Sequence, residues 1–568
     1  MRIEVVRWGI TVFALFVIVR LFTLQIVDHR MYEALASGQH ELFQQLYPRR
    51  GDILVHDGKD GTLVPLATNE QLSFIYADPR HIEDPVAVSE FFATLFGLTD
   101  AETIELAARL SNRSDPFEPI RHKVNEAHLN AIKEKSFRGV AYVRESSRLY
   151  PEPALGGHVA GFLGFDAEGK QAGRYGAEGY FNEELSGVSG SLRSERDIAG
   201  RLIALGDQSF EPARDGDTVV LTIDRTIQYM TCAALRRTVE KHQADGGSVI
   251  ILEPATGRIL ALCGEPDFDP NRYREVDNLT VFNNPAVFSP YEPGSIFKPV
   301  TMAAALDVGA IEPTTTYEDT GVVELGEHKI RNSDGAAHGI QTMTEALEKS
   351  LNTGLVFAMR EAGKETFTKY VKAFGFGERT GIELDTEAAG NVSSLDKRGD
   401  IFAATASFGQ GITVTPLQMV VAYAAIANGG ILKKPMIVEE VRHADGSKEE
   451  RHTTDVRRVM EAKTSRLLGA MLISVIEHGH GQRAAVPGYY IAGKTGTAQV
   501  PKKDGAGYEE DITIGSFAGF GPVENPRFVM VVRIDHPRTT PWAETTAAPL
   551  FGEIAAFLLQ YLEVAPTR

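Results

Sequence analysis

Three short motifs, in a fixed order along the chain, carry side chains that could perform acyl transfer. They are Ser295-Ile296-Phe297-Lys298, Ser350-Leu351-Asn352 and Lys494-Thr495-Gly496-Thr497. A serine with a lysine three residues later pairs a nucleophile with a base, and a second serine can relay a proton. The third motif adds groups that can hold a carboxylate by charge and by hydrogen bonds. The combination predicts a serine acyltransferase that acts on a peptide ending in a free carboxylate.

The first motif occurs twice, so its surroundings must separate the two copies. Ser394 and Lys397 also have the S-x-x-K spacing, and about one chance copy is expected in a chain of this length. That copy lies in a polar stretch with no helical pattern after it. Ser295, in contrast, follows a Pro-Gly pair and precedes the apolar run 300–308. We therefore expect Ser295 at the N-terminus of a helix, with Lys298 on the same face.

The second motif ends a stretch that has the pattern of a helix. Thr342 and Glu345 have the spacing of a capping box, which marks the start of that helix. Ser350 and Asn352 could therefore belong to a catalytic site. They could also be ordinary residues of a helix–helix junction that satisfy backbone groups.

The third motif permits a different interpretation. Gly488, Gly493, Lys494 and Thr495 fit G-x-x-x-x-G-K-T, the pattern of a phosphate-binding loop. Such a loop should follow a strand and open a helix. Here the residues inside the supposed loop have a strand-like pattern, and the chain stays extended after it. We therefore expect Lys494 to lie on a strand.

The sequence around these motifs resembles the penicillin-binding proteins, the D,D-transpeptidases of bacterial cell walls. The similar segments are 291–298, 350–352, 493–499, Leu221-Thr222-Ile223-Asp224, Thr256–Ala261, Gly409-Gln410-Gly411 and Thr415-Pro416-Leu417-Gln418. The resemblance implies that the chain cross-links peptidoglycan stem peptides through a serine acyl-enzyme and that β-lactams inhibit it. It also implies an α+β transpeptidase domain with an antiparallel sheet packed between helices.

The resemblance implies a role for each candidate residue. Ser295 is expected to be the nucleophile, and Lys298 the base, kept neutral by burial and by a nearby positive charge. Ser350 would relay the proton to the departing D-alanine, and Asn352 would orient Lys298 and the peptide amide. The backbone amides of Ser295 and Thr497 would form the oxyanion hole. The substrate-binding residues are expected to be Lys494, Thr495, Gly496 and Thr497.

The first half of the chain resembles the non-catalytic front domain of the class B, monofunctional branch. The similar segments there are Arg50-Gly51-Asp52-Ile53, Arg148-Leu149-Tyr150-Pro151 and 173–178. The first segment lacks the second arginine that is common in the family. Segments 517–520, 525–528 and 547–551 are most similar to division-type, FtsI-like members, which implies septal wall synthesis with a SEDS-family membrane glycosyltransferase and other division proteins as partners. The alternatives are an elongation-type enzyme, a membrane-anchored β-lactam sensor or a β-lactamase-like serine hydrolase.

Composition excludes some classes of function. The chain has 568 residues and a net charge of −18, which argues against a nucleic-acid partner. Its only cysteines, Cys232 and Cys263, neither require nor exclude a disulfide. His478 and His480 lie close together but lack a third ligand for a metal site. We expect no metal and no cofactor.

The N-terminus predicts the compartment. Residues 8–27 are almost wholly apolar, about the length that crosses a bilayer, and Arg2 and Arg7 precede them. These features predict a single membrane anchor with a cytoplasmic N-terminus and an extracytoplasmic body. A cleaved signal peptide, with a processing site near residues 34–36, is the alternative.

Three regions follow along the chain. We expect a membrane anchor at 1–28, an elongated α+β pedestal domain at 40–214 and a transpeptidase domain at 215–563, with a turn-rich boundary at 211–217. Hydrophobic periodicity predicts helices at 295–308 and 464–477, and buried strands within 247–262 and at 528–534.

Overall fold

The computed structural model of the protein describes residues 8, 13–15, 41–46, 48–58, 60–195, 209–502 and 507–568. The chain forms two compact units. The first contains residues 1–50 and 186–216, and the second contains residues 51–185 and 217–568. In the first unit an antiparallel three-stranded sheet has the order Glu41–Leu46, Gly190–Glu195 and Ser209–Glu211.

The predicted anchor, residues 8–27, lies almost entirely outside the described residues. Among the helices that the structure does describe, none has both the length and the apolar character that a membrane span requires.

The second unit contains a seven-stranded sheet. Thr218–Asp224 runs parallel to Ile53–Asp57 and antiparallel to Val438–Arg442, so the sheet joins strands that are far apart in sequence. Helices pack on it through a core that includes Ile75 and Phe92. The strand order is Lys448–Glu450, Val438–Arg442, Thr218–Asp224, Ile53–Asp57, Thr62–Ala77 and Glu118–Val124, with Val140–Leu149 also paired to Thr62–Ala77.

The second unit also contains a five-stranded antiparallel sheet, and the overall class is α+β, as predicted. Because neighbouring side chains of a strand point to opposite faces, Val249 and Ile251 join one core while Ile250 and Leu252 join the other. Helices cover both faces, so the sheet is buried on both sides. The strand order is Ile259–Glu265, Gly246–Leu252, Phe528–Asp535, Tyr508–Gly521 and Ala492–Pro501.

The remaining described elements are short strand pairs and helices. The strand pairs are Phe162–Phe165 with Gln171–Arg174, Thr316–Asp319 with Gly339–Thr342, Val322–Leu325 with His328–Arg331, and Ile431–Lys433 with Asp455–Arg458. The α-helices are Pro85–Phe96, Asp100–Leu110, Glu126–Lys135, Gly157–Ala160, Gly176–Tyr180, Asn182–Ser186, Arg225–His242, Pro285–Phe288, Lys298–Asp307, Met343–Glu348, Asn352–Ala362, Lys364–Ala373, Asp400–Ala406, Pro416–Ala427, Ala462–His478 and Ala547–Tyr561. The 3-10 helices are Pro79–His81, Pro153–Leu155, Pro270–Glu275, Leu279–Phe282, Gly294–Phe297, Ser393–Asp396 and Gln482–Ala484.

Two sequence predictions are refined by these bounds. The helix predicted at 295–308 begins as the 3-10 turn Gly294–Phe297 and continues as the α-helix Lys298–Asp307. Pro299 fits its first turn because an amide hydrogen there has no intrahelical partner. The stretch 247–262 contains two strands, since the chain turns back on itself between residues 252 and 259.

A disulfide joins Cys232 to Cys263. It links the helix Arg225–His242 to the edge strand Ile259–Glu265 and closes a loop of 31 residues. Both cysteines are buried. The sequence left this pairing open, and the structure settles it.

Candidate active site

Ser295 lies on the 3-10 turn Gly294–Phe297, which we call the serine turn. The α-helix Lys298–Asp307, the serine helix, follows directly. Ile296 and Phe297 are fully buried, whereas Ser295 is half-buried. The neighbours thus anchor the turn in the core, and the serine faces a cavity.

A glycine loop holds the backbone of the serine turn. The amide of Gly294 donates to the carbonyl oxygen of Gly409 at 3.0 Å. Gly409 has a φ of +84°, and a Cβ there would lie 2.1 Å from the Gly294 carbonyl oxygen. Only glycine fits such a position. On the other side, the buried Tyr423 hydroxyl donates to the carbonyl oxygen of Ile296 at 2.8 Å, so the turn is fixed from two directions.

Lys298 is fully buried, although lysine is almost always exposed. Its Nζ donates to the Oγ of Ser350 at 3.1 Å and to the backbone carbonyl of the same residue. Burial, with the charge of Lys494 as the second cause, holds the pKa of Lys298 well below its usual value. A lowered pKa favours the uncharged form of the amine, which can accept a proton.

Ser350 lies in the junction between the helix Met343–Glu348 and the helix that begins at Asn352. The predicted capping box of Thr342 and Glu345 is present at the start of the first helix. Ser350 itself has a φ of +55°, a left-handed conformation that side chains rarely adopt. Such conformations persist where the surroundings fix them, often at functional sites. Here the conformation leaves the hydroxyl against the buried amine.

Asn352 lines the cavity, and a buried polar network supports its helix. The Nδ2 of Asn352 donates to the carbonyl oxygen of Arg331 at 2.9 Å, and among the described residues the acceptors of the Lys298 amine are the two oxygens of Ser350. The Oγ1 of Thr353 donates to Asp319 at 2.8 Å. The amide of Asn332 donates to the same carboxylate at 2.9 Å. This network ties the Ser350–Asn352 junction to the neighbouring hairpins.

Lys494 lies on the strand Ala492–Pro501, the lysine strand, at the edge of the five-stranded sheet. The strand prediction is therefore confirmed, and the phosphate-loop alternative is excluded because no helix begins here. A Cβ at Gly496 would lie 3.0 Å from the amide nitrogen of Ile296. The absence of a side chain at Gly496 thus lets the serine turn rest directly on the lysine strand.

The amine of Lys494 is also fully buried. Its Nζ donates to the carbonyl oxygen of Thr495 at 3.1 Å and lies 3.4 Å from the hydroxyl of the same residue. Burial lowers the pKa of Lys494 to about 7, although the charge of Glu544 acts in the opposite direction. Lys494 therefore keeps part of its charge near neutral pH and most of it below pH 7.

These elements surround a cavity of about 670 Å³. The predicted site residues in its wall are Ser295, Ser350, Asn352, Thr495 and Thr497. Lys298, Lys494 and Gly496 are buried behind that wall. The three motifs, distant in sequence, therefore meet at a single site, with hydroxyls in front and lysines behind.

Other residues of the wall were not predicted as site residues. Gln410, His480, Trp542 and Glu544 all line the cavity. The sequence singled out His480 only for its spacing from a second histidine, and Gln410 only as part of a family segment. For Trp542 and Glu544 the available signal was their position in the segment between the strand Phe528–Asp535 and the helix Ala547–Tyr561.

The chain matches two family models. Residues 247–556 match the penicillin-binding protein transpeptidase domain, and residues 45–221 match the penicillin-binding protein dimerisation domain. The first model covers more than half of the chain.

Known proteins are similar over nearly the whole length. Stage V sporulation protein D of Bacillus subtilis is 33% identical over 99% of this chain and 86% of its own. Peptidoglycan D,D-transpeptidase FtsI of Escherichia coli is 28% identical over 97% of this chain and 90% of its own. The crystal structure of penicillin-binding protein 3 from Mycobacterium tuberculosis complexed with ampicillin has a TM-score of 0.70 and 28% identity, covering 92% of this chain and 97% of that one. With the site described above, these matches establish that the chain belongs to the penicillin-binding protein family, as a class B, FtsI-like member.

Proposed function

We propose that this protein is a peptidoglycan D,D-transpeptidase that cross-links stem peptides through an acyl-enzyme on Ser295. One observation carries the proposal: the fully buried amine of Lys298, whose pKa is lowered by that burial, bonds to a second serine hydroxyl beside the cavity that Ser295 faces. A nucleophile, a base and a proton relay are thus within one site.

Acylation begins at the carbonyl between the two terminal D-alanines of a donor stem peptide. Ser295 Oγ attacks that carbon, and its proton passes to the neutral amine of Lys298. Because the serine turn rests on the lysine strand, the backbone amides of Ser295 and Thr497 can both face the developing oxyanion. Preorganised donors of this kind stabilise the transition state without reorganisation.

Departure of the terminal D-alanine completes the acylation. The C–N bond breaks, and the proton held by Lys298 passes through the Ser350 hydroxyl to the nitrogen of the terminal D-alanine. The carboxylate of that residue is held by the hydroxyls of Thr495 and Thr497, with the charge of Lys494 behind them. The amine of a neighbouring stem peptide then attacks the acyl-enzyme and forms the cross-link.

Labelling with a fluorescent penicillin, followed by peptide mapping, tests the proposal. A β-lactam presents a strained amide and a carboxylate in the same relation as the donor, so it should acylate Ser295 and remain there. Acylation of Ser394, or no acylation of folded protein, would contradict the proposal. Rapid hydrolysis of the labelled enzyme would instead indicate a β-lactamase-like hydrolase.

We further propose that the enzyme acts in septal wall synthesis, beside a SEDS-family membrane glycosyltransferase and other division proteins. The FtsI-like segments support this role. Depletion of the protein in its host should give filaments, whereas rounded cells would indicate an elongation-type enzyme. The partner glycosyltransferase should copurify in detergent with the full chain and be lost when residues 1–28 are removed.

We also propose that residues 1–28 form an uncleaved anchor and that the body is extracytoplasmic. The apolar run with preceding arginines supports the anchor, and the Cys232–Cys263 disulfide fits an oxidising compartment. The mature protein should keep its first 30 residues and sediment with membranes. A soluble form that begins near Ser37 would show a cleaved signal peptide.

A further inference from the structure

One ion pair in the cavity wall has no role in the steps above. The Nδ1 of His480 lies 2.6 Å from the Oε1 of Glu544. Their side chains are 46% and 42% exposed, and both line the cavity that Ser295 faces. The pair is therefore open to a bound substrate rather than enclosed in the core.

A backbone contact places Glu544 at the carboxylate end of the site. The amide of Ala543 donates to the Oγ1 of Thr497 at 3.2 Å, which fixes the turn that carries Glu544 beside the lysine strand. The charge of Glu544 also reaches Lys494, whose pKa it raises against the larger effect of burial. Glu544 thus lies near the position from which the terminal D-alanine departs.

The acceptor must enter at that same position. Its nitrogen attacks the carbonyl carbon that the D-alanine nitrogen has just left, so it occupies the same side of the acyl-enzyme. A primary alkyl amine arrives as an ammonium ion, and the charge of Lys494 behind the wall repels it. A carboxylate at this end of the cavity offsets that repulsion and raises the local concentration of the cation.

The other acidic residue of the wall is already committed to its own turn. Asp334 accepts hydrogen bonds from the amide of Ala336 at 3.0 Å and from His338 at 2.8 Å. Its segment is bonded to the helix that begins at Asn352, because the backbone amide of Thr353 donates to the Oδ1 of Asn332 at 3.2 Å. Among the described residues of the wall, Glu544 is therefore the carboxylate placed to meet an acceptor.

We propose that Glu544 is the specificity residue for the acceptor, which it binds as an ammonium ion, and that His480 positions the Glu544 carboxylate. The acceptor class is a primary amine on a flexible alkyl side chain. After loss of one proton to water, the nitrogen attacks the ester carbon, the C–N bond forms and the C–Oγ bond breaks. The second proton goes to Ser295 Oγ. This inference rests on the proposed function.

The test compares two acceptors on one acyl-enzyme. The full-length protein in detergent is acylated by a peptide thioester donor with a terminal carboxylate, and mass spectrometry measures transfer to each acceptor per acyl-enzyme formed. The cationic acceptor is Nα-acetyl-lysine amide, and the uncharged acceptor is an O-alkylhydroxylamine. Glu544→Gln should lower the ratio of cationic to uncharged transfer about two- to fivefold, the range expected for loss of a partly exposed ion pair.

Two further variants make the result specific. Glu544→Asp keeps the charge and should restore at least part of the ratio. Asp217 accepts from the Nδ1 of His443 at 2.8 Å outside the cavity, so Asp217→Asn is a matched control and should leave the ratio unchanged. An unchanged ratio in Glu544→Gln, whether transfer to both acceptors stays the same or falls equally, would overturn the inference. Failure of the donor to acylate Ser295 at all would instead count against the proposed function.

Discussion

The chain contains the S-x-x-K pattern twice, and the two copies differ at the lysine, which begins an α-helix in the first copy and is extended in the second. Ser295 and Ser394 both lie on short 3-10 turns. Lys298 is fully buried and bonds to a serine hydroxyl, whereas Lys397 is exposed, with its Nζ 5.3 Å from the ring centre of Phe402. Burial of the lysine is thus what turns a common sequence pattern into a base.

The second copy has a structural role near the first. The Oγ of Ser394 donates to the carbonyl oxygen of Gly411 at 2.8 Å. Gly411 belongs to the glycine loop that holds the serine turn through Gly409. The hydroxyl of Ser295 therefore faces the cavity, whereas the hydroxyl of Ser394 bonds to the loop that supports the serine turn.

The largest effect is expected from the nucleophile. Ser295→Ala should abolish penicillin labelling, a loss of at least about a thousandfold in acylation rate, because it removes the proposed nucleophile. Ser394→Ala should still be labelled. Gel fluorescence and thermal melting of both variants measure labelling and folding. Retained labelling of Ser295→Ala would show that Ser295 is not the acylated serine.

Substitutions of Lys298 and Lys397, the lysines of the two copies, should differ almost as strongly in their effect on acylation. Lys298→Met should slow acylation about a hundred- to ten-thousandfold, as expected for loss of a general base. The same substitution should raise the melting temperature by about 2–5 °C, because it removes a poorly accommodated amine from the core. Lys397→Met is the matched control and should change neither quantity. A melting temperature that falls in Lys298→Met would show that the amine stabilises the fold.

The stability of the wild type should also rise with pH. Above neutrality the unfolded chain still binds protons at both lysines, whereas folded Lys298 and Lys494 have pKa values below the usual one, the latter about 7. The free energy of unfolding therefore increases from about pH 7 towards about pH 10. Urea titrations should show a smaller increase in Lys298→Met.

Lys494 should assist acylation through its positive charge, which attracts the carboxylate of the donor, rather than as a base. Lys494→Ala should slow acylation about 30- to 1,000-fold near pH 6, where the wild type carries that charge. In the wild type the second-order rate should fall as the pH rises through about 7, because the amine of Lys494 loses its proton. Lys494→Arg should recover part of the acylation rate. Its rate should not fall as the pH rises through about 7, because a guanidinium group stays charged. A flat profile for the wild type would place the carboxylate contact at Thr495 and Thr497 alone.

The smallest effect is expected from the scaffold serine. Ser394→Ala removes the hydrogen bond to Gly411 and should destabilise the fold by about 1 kcal/mol, measured by urea unfolding. Acylation should change by less than about threefold, because the nucleophile keeps its own base. Ser393→Ala removes an exposed neighbouring hydroxyl and serves as the control. Equal effects of the two substitutions would mean that the bond to Gly411 contributes nothing.

Sequence reasoning found the motifs because their chemistry depends on residue type and order. Ser295, Ser350 and Thr497 were expected together and line one cavity. The same reasoning could not show that the amine of Lys494 lies behind the wall, since that depends on how the lysine strand packs. Nor could it find Glu544, which reaches the site only because the turn after the last strand bonds to Thr497.

For the fold, the sequence predicted local elements but not the pairing of distant segments. Periodicity located the helix 464–477, observed as Ala462–His478, because one apolar face persists over several turns. It could not show that strands from residues 53–57 and 218–224 pair in parallel, since pairing between distant segments leaves no local pattern. The disulfide was likewise undecided, because only the packing of a helix on a strand brings the two sulfurs together.

The close approach of backbones around Ser295 has a consequence for how such an enzyme can evolve under drug selection. A Cβ at Gly409 would collide with the serine turn, and one at Gly496 would make a contact of 3.0 Å with it, so neither position takes a side chain unless the turn shifts. Trp542, at the rim, is 54% exposed and has room to vary. Substitutions that discriminate between a natural peptide and an inhibitor are therefore confined to the rim, where a change in shape leaves the reactive hydroxyl undisturbed.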